Sequence, residues 1–456
     1  MHDVMIIGAG SGGYAAAIRA AQLGAHVVIA ECADTGGTCV NRGCVPSKVW
    51  LRAADLLLDI KAGDEFGIHA PVEDIDFKAI VERKSGVSEE IRMGMEALLE
   101  SYGVELAKGR AVIKSPQQVD VDGRGIETKK IIIATGSSIG AHEIPGLKKA
   151  AMTTDDLLDM TKVPKSILVC GSGYIETEMA FLLNAFGCNV IMAAGSARIL
   201  PKEDSDTSQR IAMALREKGV EIIPRTSLES VKTTKTGTAC KLSGPTERTV
   251  KVENVLVSGR VPNTVGLGLN NLGVTLNDDN GIRVNDRLET SVDGIYAIGD
   301  ATGGWMLSHA ASSMAVVAAE NALGANNRYR FDLIPRCLWT QPEMGAIGLS
   351  EEDAEKKGYD VETGVFPYAI NGLAMVRNQV DGAAKIVSDT RYGEILGVHI
   401  VGANATELIG EAVMAMQLEA TVQELARSIR IHPTFSEAVV DAARDAGNWA
   451  LYLPRD

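Results

Sequence analysis

Residues 4–31 read VMIIGAGSGGYAAAIRAAQLGAHVVIAE, and this stretch decides the fold. Val4 to Ile7 is an apolar run that suits a buried strand. Gly8-Ala9-Gly10-Ser11-Gly12-Gly13 follows as a glycine turn of the form G-x-G-x-x-G. Ala15 to Leu23 is rich in alanine, the best helix former, and Gly24 can close the helix. His26 to Ala30 predicts a second strand, ending at Glu31. A glycine turn alone is a weak signal. Here strand, turn, helix, second strand and terminal acid all agree. Gly8, Gly10 and Gly13 would let the backbone approach a pyrophosphate seated on a helix N-terminus, and Glu31 would accept from ribose hydroxyls.

The pattern recurs. Ser166 to Cys170 predicts a strand, Gly171-Ser172-Gly173 a turn, a helix runs to Phe186, and Val190 to Ala194 predicts the next strand. Gly8 to Gly24 spans 16 positions, as does Gly171 to Gly187; Gly8 to Glu31 spans 23, as does Gly171 to Ala194. Two mononucleotide-binding units imply two nucleotides. Further strands are predicted at Lys130–Ala134, Val250–Val257 and Gly294–Ile298. After Pro335 the texture changes: strands at Ala384–Ser388 and Ile395–Val401 accompany helices at Glu407–Gln417 and Val422–Arg427. The fold class is therefore α/β, with two Rossmann-like nucleotide-binding domains and a C-terminal α+β domain.

At ~150 residues per domain, 456 residues suggest about three domains. The expected division is 1–147 with 265–330, 148–264, and 335–456. A formal net charge of −14 without a local basic patch argues against nucleic acid. Apolar residues at 46% exclude disorder, and aromatics at 4% beside 47 glycines argue against a β-sandwich. Met1-His2-Asp3 carries an acid where a signal peptide wants lysine, and no run of ~20 apolar residues predicts a membrane span. Seven cysteines are too few for a disulfide scaffold, so a reducing, cytoplasmic setting is expected.

Residues 36–48 read GGTCVNRGCVPSK. Cys39 and Cys44 are five apart, which in an ideal helix puts them roughly 140° apart round the axis. Bonding them requires a distorted turn, which Gly43 permits, and a strained small-ring disulfide is the reducible kind. Zinc is the rival reading, but C-x₄-C has no second ligand pair of the usual spacing, so no metal is expected. The third reading is two inert core thiols; the glycine frame and the nearby Lys48 weigh against it.

This block resembles the redox-active disulfide of the pyridine nucleotide–disulfide oxidoreductases, and within them it is most similar to the dihydrolipoyl dehydrogenase branch. The resemblance covers essentially the whole chain. It includes Ala134-Thr135-Gly136, GYIxxE from Gly173 to Glu178, and GRxPN from Gly259 to Asn263. It also includes YAIGD ending at Asp300, MLxH from Met306 to His309, and HPTFSE from His432 to Glu437. It implies FAD on the first unit, NAD on the second, and a homodimer joined through the C-terminal segment. It also implies a lipoyl group as substrate, on a separate carrier protein or as free dihydrolipoamide. By the same resemblance, Cys39 and Cys44 form the redox disulfide, with Cys39 exchanging with substrate and Cys44 facing the flavin. Lys48 lies near the flavin and pairs with Glu178. Asp300 binds the ribityl chain, and Met306, Leu307, Ser308 and His309 open a helix toward the flavin. Thr38, Ala111, Thr135 and Gly136 are further FAD contacts. Gly171, Gly173, Ala194 and Gly259 belong to the nicotinamide site. His432, one of seven histidines, would be a base oriented by Glu437 and would reach the active site across the dimer.

The second unit departs from the pattern. By offset, Glu176 stands where the first unit has Gly13, and Ala194 where it has Glu31. The position of Glu176 calls for a small residue near the pyrophosphate. Either Glu176 rotates outward and the backbone still binds, or the nicotinamide site is weakened. Losing the acid at 194 allows NADP, yet Arg198 is the only Arg or Lys between Asn189 and Leu200. Three functions compete. The first is dihydrolipoyl dehydrogenase. The second is a sibling reductase, against which the absence of any cysteine after Cys337 counts. The third is a flavin electron-transfer partner with an impaired nicotinamide site.

Overall fold

The computed structural model describes residues 1–140, 143–234 and 237–454. By packing, the chain divides into two units: Met1–His142, Thr153–Lys162 and Ser258–Arg330 form one, and Glu143–Met152, Val163–Val257 and Phe331–Asp456 the other. Residues 148–264 and 335–456, distinguished by sequence, thus fall largely in one unit, while Ser258 to Thr264 packs with the first.

In the first unit, strands Glu105–Lys108, Val27–Glu31, His2–Ile7 and Arg124–Ile133 lie side by side in that order, all parallel. Ile295–Ala297 adds a parallel strand beside Ile131 to Ile133. Parallel neighbours need a crossover, and the Ser11–Gln22 helix supplies the first one. Met5, Ile7, Val28, Ala30, Ile131 and Ile133 share one core. The strand expected at Lys130–Ala134 is the end of a longer one. Its first half runs antiparallel to Gln118–Val121, which pairs in turn with Ala111–Ser115. Along that half exposed and buried residues alternate, so it lacks the continuous apolar run that marks a fully buried strand. A long helix at Phe77–Ser101, capped by Asp76 accepting from the Ala79 N–H, was also not legible.

In the second unit, strands Glu221–Pro224, Asn189–Ala194, Ser166–Cys170, Asn254–Val257 and Ala151–Met152 form an all-parallel sheet. The repeat read from offsets is a repeat in space. Gly8 N–H donates to Ala30 C=O at 2.8 Å, Gly171 N–H to Ala193 C=O at 3.0 Å, and Gly24 and Gly187 share a φ of +86°. The run expected as one strand at Val250–Val257 is two. Arg248–Val252 belongs to an antiparallel sheet, and the chain breaks at Glu253 before Asn254–Val257 enters the parallel one. Backbone bonding explains the break: Glu253 N–H donates to the Ser166 carbonyl at 3.1 Å.

The C-terminal segment is an antiparallel sheet in the order Arg336–Leu338, Glu343–Gly348, Ile395–Gly402, Ala383–Asp389 and Val361–Pro367. Helices Ala405–Gln417 and Ser436–Ala446 pack on it. Gly364 allows this: a Cβ there would lie 2.1 Å from the Ala442 carbonyl oxygen. No helix among the described residues is long and apolar enough to cross a membrane.

Candidate active site

The first unit builds a nucleotide cradle from glycine. A Cβ on Gly13 would stand 1.8 Å from the Gly8 carbonyl oxygen, and one on Gly8 (φ +104°) would stand 2.4 Å from the Ala134 oxygen. Strand, loop and helix therefore touch at backbone distance. Gly10 precedes the Ser11–Gln22 helix, and no side chain caps it. The first-turn N–H groups thus keep their capacity for an anion. Glu31 is oriented by two backbone donors, Ala9 N–H at 2.7 Å and Ala33 N–H at 2.8 Å. These residues fit the ADP half of FAD.

A second group converges in the same unit. Asp300 lies in the turn Gly299–Thr302 and accepts from the Ser137 hydroxyl. Arg260 Nε donates to that hydroxyl oxygen at 2.8 Å, and its Nη2 reaches Thr38 Oγ1 at 3.4 Å. Thr135 Oγ1 donates to the Asn263 carbonyl at 2.7 Å, and Asn263 Nδ2 to the Thr135 carbonyl at 2.9 Å. Gly136 has φ +70°, and Gly140 N–H donates to the Gly259 carbonyl at 2.8 Å. Gly259 therefore lies in the first unit, whereas Gly171 and Gly173 lie in the second. Arg260 was missed as a site residue; the arginine within its GRVPN segment was the available signal. Ala111 is buried at the start of its strand. The helix expected from Met306 starts at Ser308: Met306 has a left-handed φ of +51°, and Leu307 is the N-cap. His309, in the first turn, is exposed.

Cys39 and Cys44 do not share a helix. Cys39 lies in Gly37–Asn41 and Cys44 opens Cys44–Ala62, with Gly43 (φ −135°, ψ −103°) between them. The break lets the sulfurs meet. The Cys44 thiol donates to Cys39, and this hydrogen bond is the main reason the Cys39 thiol is lowered to about 6. Burial opposes the shift, hydrogen bonds from Ser308 and Ser11 reinforce it, and the Lys48 charge adds to it. Cys44, as the donor, is held well above the ordinary thiol range chiefly by the same bond. Ser11 and Ser308 each open a helix without a side-chain cap and bond to one another at 2.7 Å. Two positive helix ends thus stabilise charge on Cys39. Cys39 is half-buried and Cys44 exposed.

In the second unit Glu176 does not rotate outward. Its Oε2 accepts from the Gly173 N–H at 2.8 Å, folding the carboxylate over the glycine turn. Ala194 is fully buried, unlike Glu31. Arg198 Nη2 donates to the Glu203 carbonyl at 2.9 Å, and its Nη1 stands 3.6 Å from Glu352. Glu178 is buried and accepts from the Trp339 N–H at 3.3 Å. His432 is exposed; its Nδ1 lies 2.8 Å from Glu437 Oε1.

Comparison with known proteins agrees with this geometry. Residues 2–315 match the family described as pyridine nucleotide-disulphide oxidoreductase, and residues 334–443 match its dimerisation domain. The chain is 36% identical to dihydrolipoyl dehydrogenases of Bacillus subtilis and Thermus scotoductus, covering 99% of either chain in both cases. Among solved structures it is similar to LpdA from Mycobacterium tuberculosis, with 28% identity, 97% and 99% coverage and a TM-score of 0.89. It is also similar to the HOCl-induced flavoprotein disulfide reductase RclA from Escherichia coli, with 27% identity, 97% and 99% coverage and a TM-score of 0.86. A glycine cradle, a contacting cysteine pair and full-length matches of this kind lead to one conclusion: the chain belongs to the pyridine nucleotide-disulphide oxidoreductase family.

Proposed function

We propose that the protein is a dihydrolipoyl dehydrogenase, with FAD and NAD as cofactors and the lipoyl group presented by a separate carrier protein or as free dihydrolipoamide. The observation that carries this reading is the Cys39–Cys44 sulfur contact, set against the N-termini of the Ser11–Gln22 and Ser308–Ala322 helices. Bound FAD supplies a two-electron relay between the thiol pair and the nicotinamide.

The chain's own residues do the rest. With Nδ1 turned to Glu437, the Nε2 atom of His432 accepts the proton of a substrate thiol. The thiolate attacks Cys39 in the oxidised pair; the Cys39–Cys44 bond breaks and its electron pair goes to Cys44. The second substrate thiol then displaces Cys39 from the mixed disulfide, and the lipoyl disulfide leaves. Hydrogen bonds from Ser11 and Ser308 hold charge on Cys39. Lys48 would place a positive charge beside the flavin, and Asp300 would hold the ribityl chain.

His432 would act across a homodimer. Ile429 and Ile431, just ahead of it, are 95% and 80% exposed, which suits a face that a second copy covers. The proposed domains are those read from the sequence, and the proposed compartment is the cytoplasm. Anaerobic titration with dihydrolipoamide tests the reading: bleaching of the flavin supports it, and an unreduced flavin would overturn it.

A further inference from the structure

We propose that Glu176 is a built-in occupant of the pyrophosphate position in the second nucleotide-binding unit, so that a pyridine dinucleotide binds only by displacing it. The proposal rests on the reading above that this unit takes the nicotinamide cofactor. In the first unit the matching position is Gly13, and its Cβ would collide with the Gly8 carbonyl oxygen at 1.8 Å. Glu176 has a Cβ, so the Tyr174–Ala185 helix cannot approach its glycine turn in the same way. The side chain fills the difference. A Cβ on Gly171 would lie 2.7 Å from Glu176 Cγ, and one on Gly173 2.8 Å from Glu176 Oε2. Where the Ser11–Gln22 helix has no side-chain cap, this helix is capped by its own carboxylate at the Gly173 N–H. That N–H and the positive helix end are what a pyrophosphate would use.

Neighbouring polar groups are also engaged. Ser172 Oγ bonds to Ser196 Oγ at 2.7 Å, and the Ser172 carbonyl accepts from Leu200 N–H at 2.6 Å. The helix is anchored as well. Tyr174, its first residue, donates to Glu203, which is fully buried and bonded to Arg336 Nε at 2.7 Å. The helix is therefore held in place, and room for a pyrophosphate has to come from rotation of the Glu176 side chain. This is an autoinhibitory contact within the cofactor site: it opposes nucleotide binding without touching the thiol pair.

The test uses the FAD-loaded protein and ADP-ribose, which carries the pyrophosphate but cannot exchange electrons with the flavin. Calorimetry should show E176A binding ADP-ribose roughly tenfold tighter than the native protein, because a like charge and a competing cap are both removed. E176Q keeps the length and an acceptor but loses the charge, so its affinity should fall between the two. If E176A loses flavin or secondary structure, E176Q decides alone. Constants within about twofold of the native protein in the folded variants would overturn the proposal. Flavin reduction of the native protein by NADH is measured in parallel. Its failure would strike the parent reading and leave the binding result to judge Glu176.

Discussion

His432 Nδ1 lies 2.8 Å from Glu437 Oε1, and the other oxygen of that carboxylate accepts the Thr434 N–H at 2.7 Å. The carboxylate is thus fixed by backbone on one side and fixes the imidazole on the other. H432A should slow dihydrolipoamide oxidation by ~10²–10⁴-fold while FAD stays bound. E437Q keeps the shape but loses the charge, and its rate should lie between native and H432A. Near-native steady-state turnover in H432A would remove the histidine from the mechanism.

With the pair reduced and no flavin bound, Cys39 should be alkylated by iodoacetamide with a rate that rises through pH about 6. The sign follows from the chemistry: below that pH the unreactive thiol predominates, and above it the thiolate does. S308A removes one donor to the thiolate and should move the midpoint upward. A midpoint near the ordinary ~8.5 would contradict the geometry.

Exchange of single cysteines separates their roles. Under the proposed assignment, in which Cys44 faces the flavin, C39S should show a long-wavelength thiolate-to-flavin band, whereas C44S should not. Full dihydrolipoamide turnover in either variant would sink the assignment.

Gly13 and Gly86 form a matched pair for the packing argument. G13A would put a methyl carbon 1.8 Å from the Gly8 oxygen, so the purified protein should have a sharply reduced flavin-to-protein ratio. G86A, in the Phe77–Ser101 helix with open space around it, should stabilise by ~0.5–1 kcal/mol in urea unfolding. Full FAD content in G13A would show that the helix can retreat.

Arg336 and Glu203 are 6% and 0% exposed and share two hydrogen bonds, at 2.7 and 3.2 Å. R336A leaves a buried carboxylate uncompensated and should cost ~3–5 kcal/mol in unfolding free energy. E203Q/R336M removes both charges and should regain about half of that loss. A double variant no more stable than R336A would argue that the ion pair itself, rather than avoidance of a lone charge, stabilises the unit.

Both glycine turns, their spacing and the redox block were legible because they are local: each depends on residues within one turn and its flanking elements. The Val27–Glu31 and Ser166–Cys170 strands were legible because buried parallel strands are continuously apolar. The half-exposed strand before Lys130 and the break at Glu253 were not, since each depends on which neighbour the chain pairs with. Arg260, the Ser11–Ser308 bond and the Glu203–Arg336 pair join residues more than a hundred positions apart, and no periodicity marks such contacts.

Chain order alone specified two βαβ units, a cysteine pair five residues apart and a histidine followed by a carboxylate, because glycine, alanine and β-branched residues carry their backbone preferences with them. What chain order could not specify was the direction of a side chain. The Glu176 carboxylate could point to solvent or fold onto Gly173; the packed helix, anchored through Tyr174 and Glu203, accompanies the second arrangement. Likewise, charge falls on Cys39 chiefly because Cys44 donates to it across the break between their helices, and Ser308 and Ser11 reinforce this from two distant helices. Electrostatic preference of this kind is a sum over neighbours in space, and only tertiary structure supplies them.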